Sequence, residues 1–172
     1  MIFRLSQKLS AKIKEGALPA SPLDGNPFAD WSASLFVADR AQYVLLSNTR
    51  SIYSTVMYGK GITNDSNFIE RALSNLREFM EADGQEFIYH RFIVPATATV
   101  RFAKALNRSI TGSMNDLINH ATGWLAEGEI SPFDVGFRLN DILLSALSHS
   151  ESAPYGRPRD AFRALAIEVG TE

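Results

Sequence analysis

The chain has 172 residues, 45% of them hydrophobic, with a formal net charge of -2 and a pI near 5.9. That is enough apolar material for a core, without the overall positive charge that drives binding to nucleic acid or anionic membranes. The absence of cysteine excludes disulfides, thiolate metal sites and a cysteine nucleophile and fits a reducing cytoplasm, and no apolar run reaches the roughly 18 residues of a membrane span.

Residues 2 to 5 read as a short strand, after which Ser6 caps a helix with Leu9 and Ile13 on one face, closing at Gly16. The basic residues here (Arg4, Lys8, Lys12, Lys14) lack the apolar core of a secretory signal. Residues 17 to 30 carry Pro19, Pro22, Asp24-Gly25 and Pro27 and form a long loop. Strands over 31–37, 42–47 and 52–58 follow, joined by short turns at Ala38 to Arg40 and Asn48 to Arg50, so they make an antiparallel meander that ends at Gly59 and Gly61.

Asn67 with Glu70 reads as the cap of a helix over 67–82, whose apolar face runs through Phe68, Ala72, Leu76, Phe79 and Met80 to a stop at Gly84. Residues 85 to 94 are ambiguous by period and are read as a short helix ended by Pro95. A strand over 99–105 leads into the polar stretch Asn107 to His120, where Ser113 followed by Asp116 predicts a helix start, with Met114, Leu117, Ala121 and Leu125 facing the core. Ser131-Pro132-Phe133-Asp134 opens another helix, continued through Val135, Leu139, Ile142, Leu143 and Leu147. After a loop from His149 to Pro158, a last helix over 158–167 buries Phe162 and Leu165, and no linker or repeat divides this single domain.

The candidate chemistry centres on the stretch after Asn107. Arg108, Ser109 and Thr111 beside Gly112, ahead of a helix start at Ser113, could hold a phosphate or carboxylate, while the Asp116 carboxylate opposes an anion there. The alternative is a plain strand-to-helix connection. Asp116 and His120 stand four apart, the spacing both of an Asp-oriented general base and of an ordinary surface pair. No second histidine lies at ligand spacing from His120, so no metal is expected. Asn48, Thr49 and Arg50 form a second polar cluster of turn residues. Arg50 would build a basic patch with Arg4, Arg101 and Arg108 if they share a face. Trp31, Trp124, Met57, Met80 and Met114 fall at core spacings and imply no cofactor box.

Four motifs resemble those of a bacterial family described only as a domain of unknown function: F-R-L-S-Q-K-L at Phe3 to Leu9, W-S-A-S-L at Trp31 to Leu35 with Asp39-Arg40 following, L-L-S-N-T-R-S at Leu45 to Ser51, and N-R-S-I-T-G-S-M-N-D at Asn107 to Asp116. The resemblance runs from the first strand to Asp116 and on toward Asn140. It implies a bacterial origin, a small α+β domain and a helix over 85–94. The polar positions matching its pattern are Arg4, Asn48, Arg108, Ser109, Ser113, Asn115 and Asp116. It brings no activity, cofactor or partner with it.

The expected fold is therefore α+β, an antiparallel sheet of four or five strands with helices packed mainly on one face. The first functional expectation is a non-enzymatic binding or interaction module whose surface combines Asn48, Arg50, Arg108, Ser109, Ser113, Asn115 and Asp116, taking an anionic ligand or a protein partner. The second is an enzyme acting on a phosphate- or carboxylate-bearing small molecule held at Arg108 and the Ser113 helix start. The third is nucleic-acid binding through the arginines. A homodimer is expected if a sheet edge or the face carrying Tyr53 and Tyr58 is left uncovered.

Overall fold

The computed structural model describes residues 1–148 and 150–170. Its strands are β1 (Ile2–Leu5), β2 (Asp30–Ala38), β3 (Ala41–Asn48), β4 (Ser54–Tyr58) and β5 (Arg101–Lys104), in the spatial order β4-β3-β2-β1-β5. The predicted meander is present: β2 pairs antiparallel with β3, and β3 with β4. Its first turn is a two-residue hairpin, with Asp39 and Arg40 both at positive φ and Ala38 opposite Ala41, the geometry that matches strand twist.

β1 is parallel to both its neighbours, Ile2 lying opposite Asp30 on one side and Arg101 on the other. Parallel partners need a long crossover rather than a tight turn, and the helix and loop after β1 provide one. The sheet is thus mixed, antiparallel over its longer half, within the expected α+β class.

The helices are α1 (Gln7–Lys12), α2 (Asp65–Ala82), α3 (Glu86–Ile88), α4 (Arg108–Glu127), α5 (Pro132–Leu139) and α6 (Pro158–Gly170). α3 runs on into a π-helical turn over Tyr89–Ile93. Side-chain alternation sorts the sheet residues into two apolar clusters. On the first face Phe3, Leu5, Trp31, Val44, Leu46 and Tyr53 pack with α1, α2, the π turn and α6. On the second, Phe36, Tyr43, Leu45 and Val56 lie beneath Met114, Leu117, Ala121 and Leu125 of α4 and Val135 and Leu139 of α5. Most helices therefore gather on one side, and α4 with the Val135 and Leu139 stripe of α5 covers the other. No helix among the described residues is long and apolar enough to cross a membrane.

Several boundaries differ from the sequence reading for identifiable reasons. α2 is capped by Asn64, and Asn67 is its reciprocating partner three residues on. β4 starts at Ser54 because the turn extends to Ile52, held at φ 60° with its N–H donated to the Asn48 carbonyl. α5 ends at Leu139, where Asn140 spends its side chain on Ser54, accepting from its N–H at 2.7 Å and donating to its carbonyl at 2.9 Å. Pro95 does not end the 85–94 helix; it sits in the first turn of a 3₁₀ segment, Val94–Ala98. Trp124, expected in the core, is half-buried with the Arg138 guanidinium over its ring. The face of Tyr53 is covered, with Phe162 stacked on the ring at 4.2 Å, whereas Tyr58 is exposed.

Two polar clusters lie inside this frame. Arg4 and Asp30, both buried, make a bidentate pair with two bonds of 2.8 Å. Arg4 also donates to the carbonyls of Ser21 and Pro22, and Asp30 accepts from the N–H of Asp24, so the pair ties down the middle of the proline-rich loop. The loop is held further by the Lys104 N–H on the Pro19 carbonyl and by the Asn26 amide on the Phe92 carbonyl.

The second cluster joins α6 to the first face. The Tyr53 hydroxyl donates to Asp83 at 2.6 Å, and Arg159 pairs with Asp83 and Asp141. Burial first, then the bond to Asp83, hold the Tyr53 phenol far above its ordinary value near 10. The unfolded chain releases this proton as pH rises past about 10 while the folded chain keeps it, so the contribution to stability is complete below that pH and declines above it. Urea titrations between pH 9.5 and 11 should show stability falling by up to about 1.4 kcal/mol per pH unit from this group. Tyr89 and Tyr43, also raised by burial, act in the same direction, so the Tyr53 share is the slope lost in Tyr53→Phe. An unchanged slope in that variant would remove the assignment.

Candidate functional site

The two parallel neighbours β1 and β5 send the chain out of their carboxyl ends in opposite directions. Past Leu5, Ser6 turns the chain into α1, whose Leu9 and Ile13 join the first-face cluster. The Ser6 hydroxyl accepts the N–H groups of Leu9 and Leu35 at 3.3 and 3.4 Å, fixing the exit against β2. Past Lys104, Asn107 turns the chain into α4 on the second face, its side chain accepting the Ile110 N–H at 3.0 Å. Where adjacent strands diverge in this way a crevice opens outside their carboxyl ends, the location at which open sheets with parallel strands hold ligands.

The crevice is present, with a volume of about 1110 Å³. Leu5 is opposite Ala33, so β2 runs on beyond β1 and supplies the floor with Ser32, Ser34 and Phe36. One wall is Gln7, Lys8 and Ala11 of the α1 segment. The other is α4, where Ile110, Met114 and Ile118 form one stripe and Thr111 with Asn115 the next, as helical spacing of three and four requires. Lys104 and Ala105 complete the rim.

The lining includes three cations, Arg4, Lys8 and Lys104, and no carboxylate. Arg4 is neutralised by Asp30. Lys8 and Lys104 are exposed, and neither ammonium has an ion-pair partner among the described residues. Between them the apolar surface is large: Phe36 faces the α4 stripe, Leu35 and Val37 turn to the α1 side of β2, and Val37 is 58% exposed.

Of the polar positions singled out in the sequence, Asn115 borders this crevice. Asn48 is buried, accepting from the N–H of Arg50 and Ser51 and the Ser51 hydroxyl and donating to the Pro27 carbonyl, so its side chain is occupied in holding the turn. Arg50 is exposed at that turn; Arg108 and Ser109 are exposed in the first turn of α4, and Asp116 is exposed further along.

Ser113 is not a helix start. It lies in the second turn of α4, 6% exposed on the inner side, because Asn107 caps the helix earlier and Gly112 is accommodated where no neighbour lies within 4 Å. The free N–H groups expected at Ser113 are therefore inside the helix. Arg4, buried in its ion pair, contributes nothing to a surface basic patch.

Asp116 and His120 form no ion pair among the described residues; His120 lies against Trp124, with ring centroids 5.7 Å apart. His149 lies outside the described residues. Glu81, Glu86 and His90 approach one another with ligating atoms within 4.8 Å, all exposed, and Arg77 already binds Glu81.

Sequence reasoning missed Lys8, Ser34, Lys104 and Ile118. Their conjunction follows from β1 pairing with β5, which no local pattern encodes. The stripe Ile110, Met114, Ile118 beside Thr111 and Asn115 was the one readable signal.

No curated protein and no solved structure matches the chain. A protein-family model, described as a domain of unknown function (DUF6933), matches residues 2–161. The match takes in every strand of the sheet, both connections that frame the crevice and the start of α6, and the chain belongs to this DUF6933 family.

Proposed function

We propose that this domain is a non-enzymatic binding module, bacterial and cytoplasmic, that takes a small organic molecule in the crevice between α1 and α4. The bacterial origin is what the motif resemblance implies, and a chain without cysteine fits a reducing compartment. The observation that carries the binding reading is the coincidence of the cavity with the divergence of β1 and β5. Its size and its mainly apolar lining with a few polar groups are those of a ligand site. The lining offers Thr111, Asn115, Ser34 and Gln42 as hydrogen-bonding groups, and no histidine or carboxylate positioned to move a proton.

The test uses Nile red as a neutral fluorescent probe and decanol as its competitor. The unmodified protein should bind the dye at one site and release it to decanol. Thr111→Trp and Asn115→Trp, both at exposed positions of the α4 wall, should abolish binding by filling the space while leaving the thermal midpoint unchanged. Undiminished binding in both variants would place the site elsewhere. Chemical conversion of a bound molecule, followed by mass spectrometry, would replace the binding reading with an enzymatic one.

A further inference from the structure

We infer that the crevice selects an amphiphilic monocarboxylate, an acyl chain of medium length with its carboxylate held at Lys8 and Lys104. This deepens the crevice reading above and rests on it. Apolar surface alone would accept any hydrophobic molecule of suitable size; the charges make the distinction.

Among the lining residues the only charges left uncompensated are the ammonium groups of Lys8, on the α1 wall, and Lys104, at the end of β5. They stand on the two segments whose divergence creates the crevice, so an anion at its mouth meets one cation from each side. No carboxylate in the lining opposes it. An occupant without negative charge would leave both cations uncompensated beside an apolar body.

The type of anion follows from the donors. Dianionic phosphate groups are held by guanidinium forks and free helix N-termini. Here the one lining guanidinium, Arg4, is buried and shared between Asp30 and two carbonyls. At the α4 terminus the Asn107 side chain takes the Ile110 N–H, and Asn107, Arg108 and Ser109 are not part of the lining. Two lysines on flexible stems remain, acting as point charges without the fixed fork or the open N–H array that selects a phosphate, and they leave a carboxylate as the simplest anion the mouth would hold. The body of the molecule would lie along Ile110, Met114 and Ile118, about 12 Å of helix at 1.5 Å per residue, opposite Phe36. That length fits an extended chain better than a compact polar metabolite.

Displacement of Nile red by decanoate, decanol, decyl phosphate and decyltrimethylammonium tests this directly. Decanoate should displace at least about tenfold more tightly than decanol, which is about 1.4 kcal/mol. The double variant Lys8→Gln with Lys104→Gln, at exposed positions, should bring decanoate down to the decanol level without changing decanol itself. Equal affinity for decanoate and decanol would overturn the anion assignment and leave the crevice standing. Tighter binding of decyl phosphate would overturn the carboxylate, and tighter binding of the ammonium compound would overturn the charge argument. Displacement by none of the four would overturn both readings.

Discussion

Replacing Asp30 by alanine is expected to cost the fold about 3–5 kcal/mol, the loss typical when one partner of a buried ion pair is removed. The cause is the Arg4 guanidinium, which stays 1% exposed with only the carbonyls of Ser21 and Pro22 to bond. Since a domain of this kind holds about 5–15 kcal/mol in total, the variant should unfold at a much lower urea concentration, and its loop over residues 17–26 should become the first site of proteolytic cleavage. In Arg4→Met with Asp30→Asn no buried charge is left behind. Its loss should therefore be smaller than the sum of the single losses by about 0.5–3 kcal/mol. A loss below about 1 kcal/mol in Asp30→Ala would show that the pair is not what holds the loop.

Phe162→Ala should be comparably severe, about 3–5 kcal/mol, from lost burial and the cavity left behind. The Phe162 ring is fully buried, stacked on Tyr53 at 4.2 Å and edge-on to Phe28 at 5.1 Å and Trp31 at 6.1 Å. With Leu165 it carries α6 into the first-face cluster. Its removal should shift the urea midpoint and move tryptophan emission toward the red, because Trp31, 0% exposed in the parent, would gain access to water. Emission that stays unchanged together with a loss under about 1 kcal/mol would mean that α6 docks through Leu165 and Arg159 instead.

The elements readable from the sequence were those whose signal is local. The strands over 31–37 and 42–47 appear as Asp30–Ala38 and Ala41–Asn48 because period-two alternation and a short turn suffice to define a hairpin. Likewise, Ser6 and Ser131 were read as caps and are caps. Ser113 was misread because its pattern with Asp116 imitates a helix start, whereas Asn107, with no acid or amide three residues later, carries a weaker signal and wins through its own hydrogen bond. Asn140 stopped a helix that its neighbours would have continued, because its amide answers β4 across a long stretch of chain. The parallel pairing of β1 was not readable at all, since it depends on which distant segment comes to lie beside it, and the crevice was hidden with it.

The shared position of β1 also sets an order of assembly. Its partner β2 follows within the first forty residues, but the strand on its other flank begins at Arg101, so one backbone edge stays open until most of the domain has been synthesised. Closing so distant a contact is slow, and an open edge invites wrong pairing in the meantime. The wall formed by α4 follows β5 directly in the chain and packs on β2 and β3. The crevice is thus complete only once the chain through α4 is in place, and any occupant acts on that assembled form, stabilising the native state.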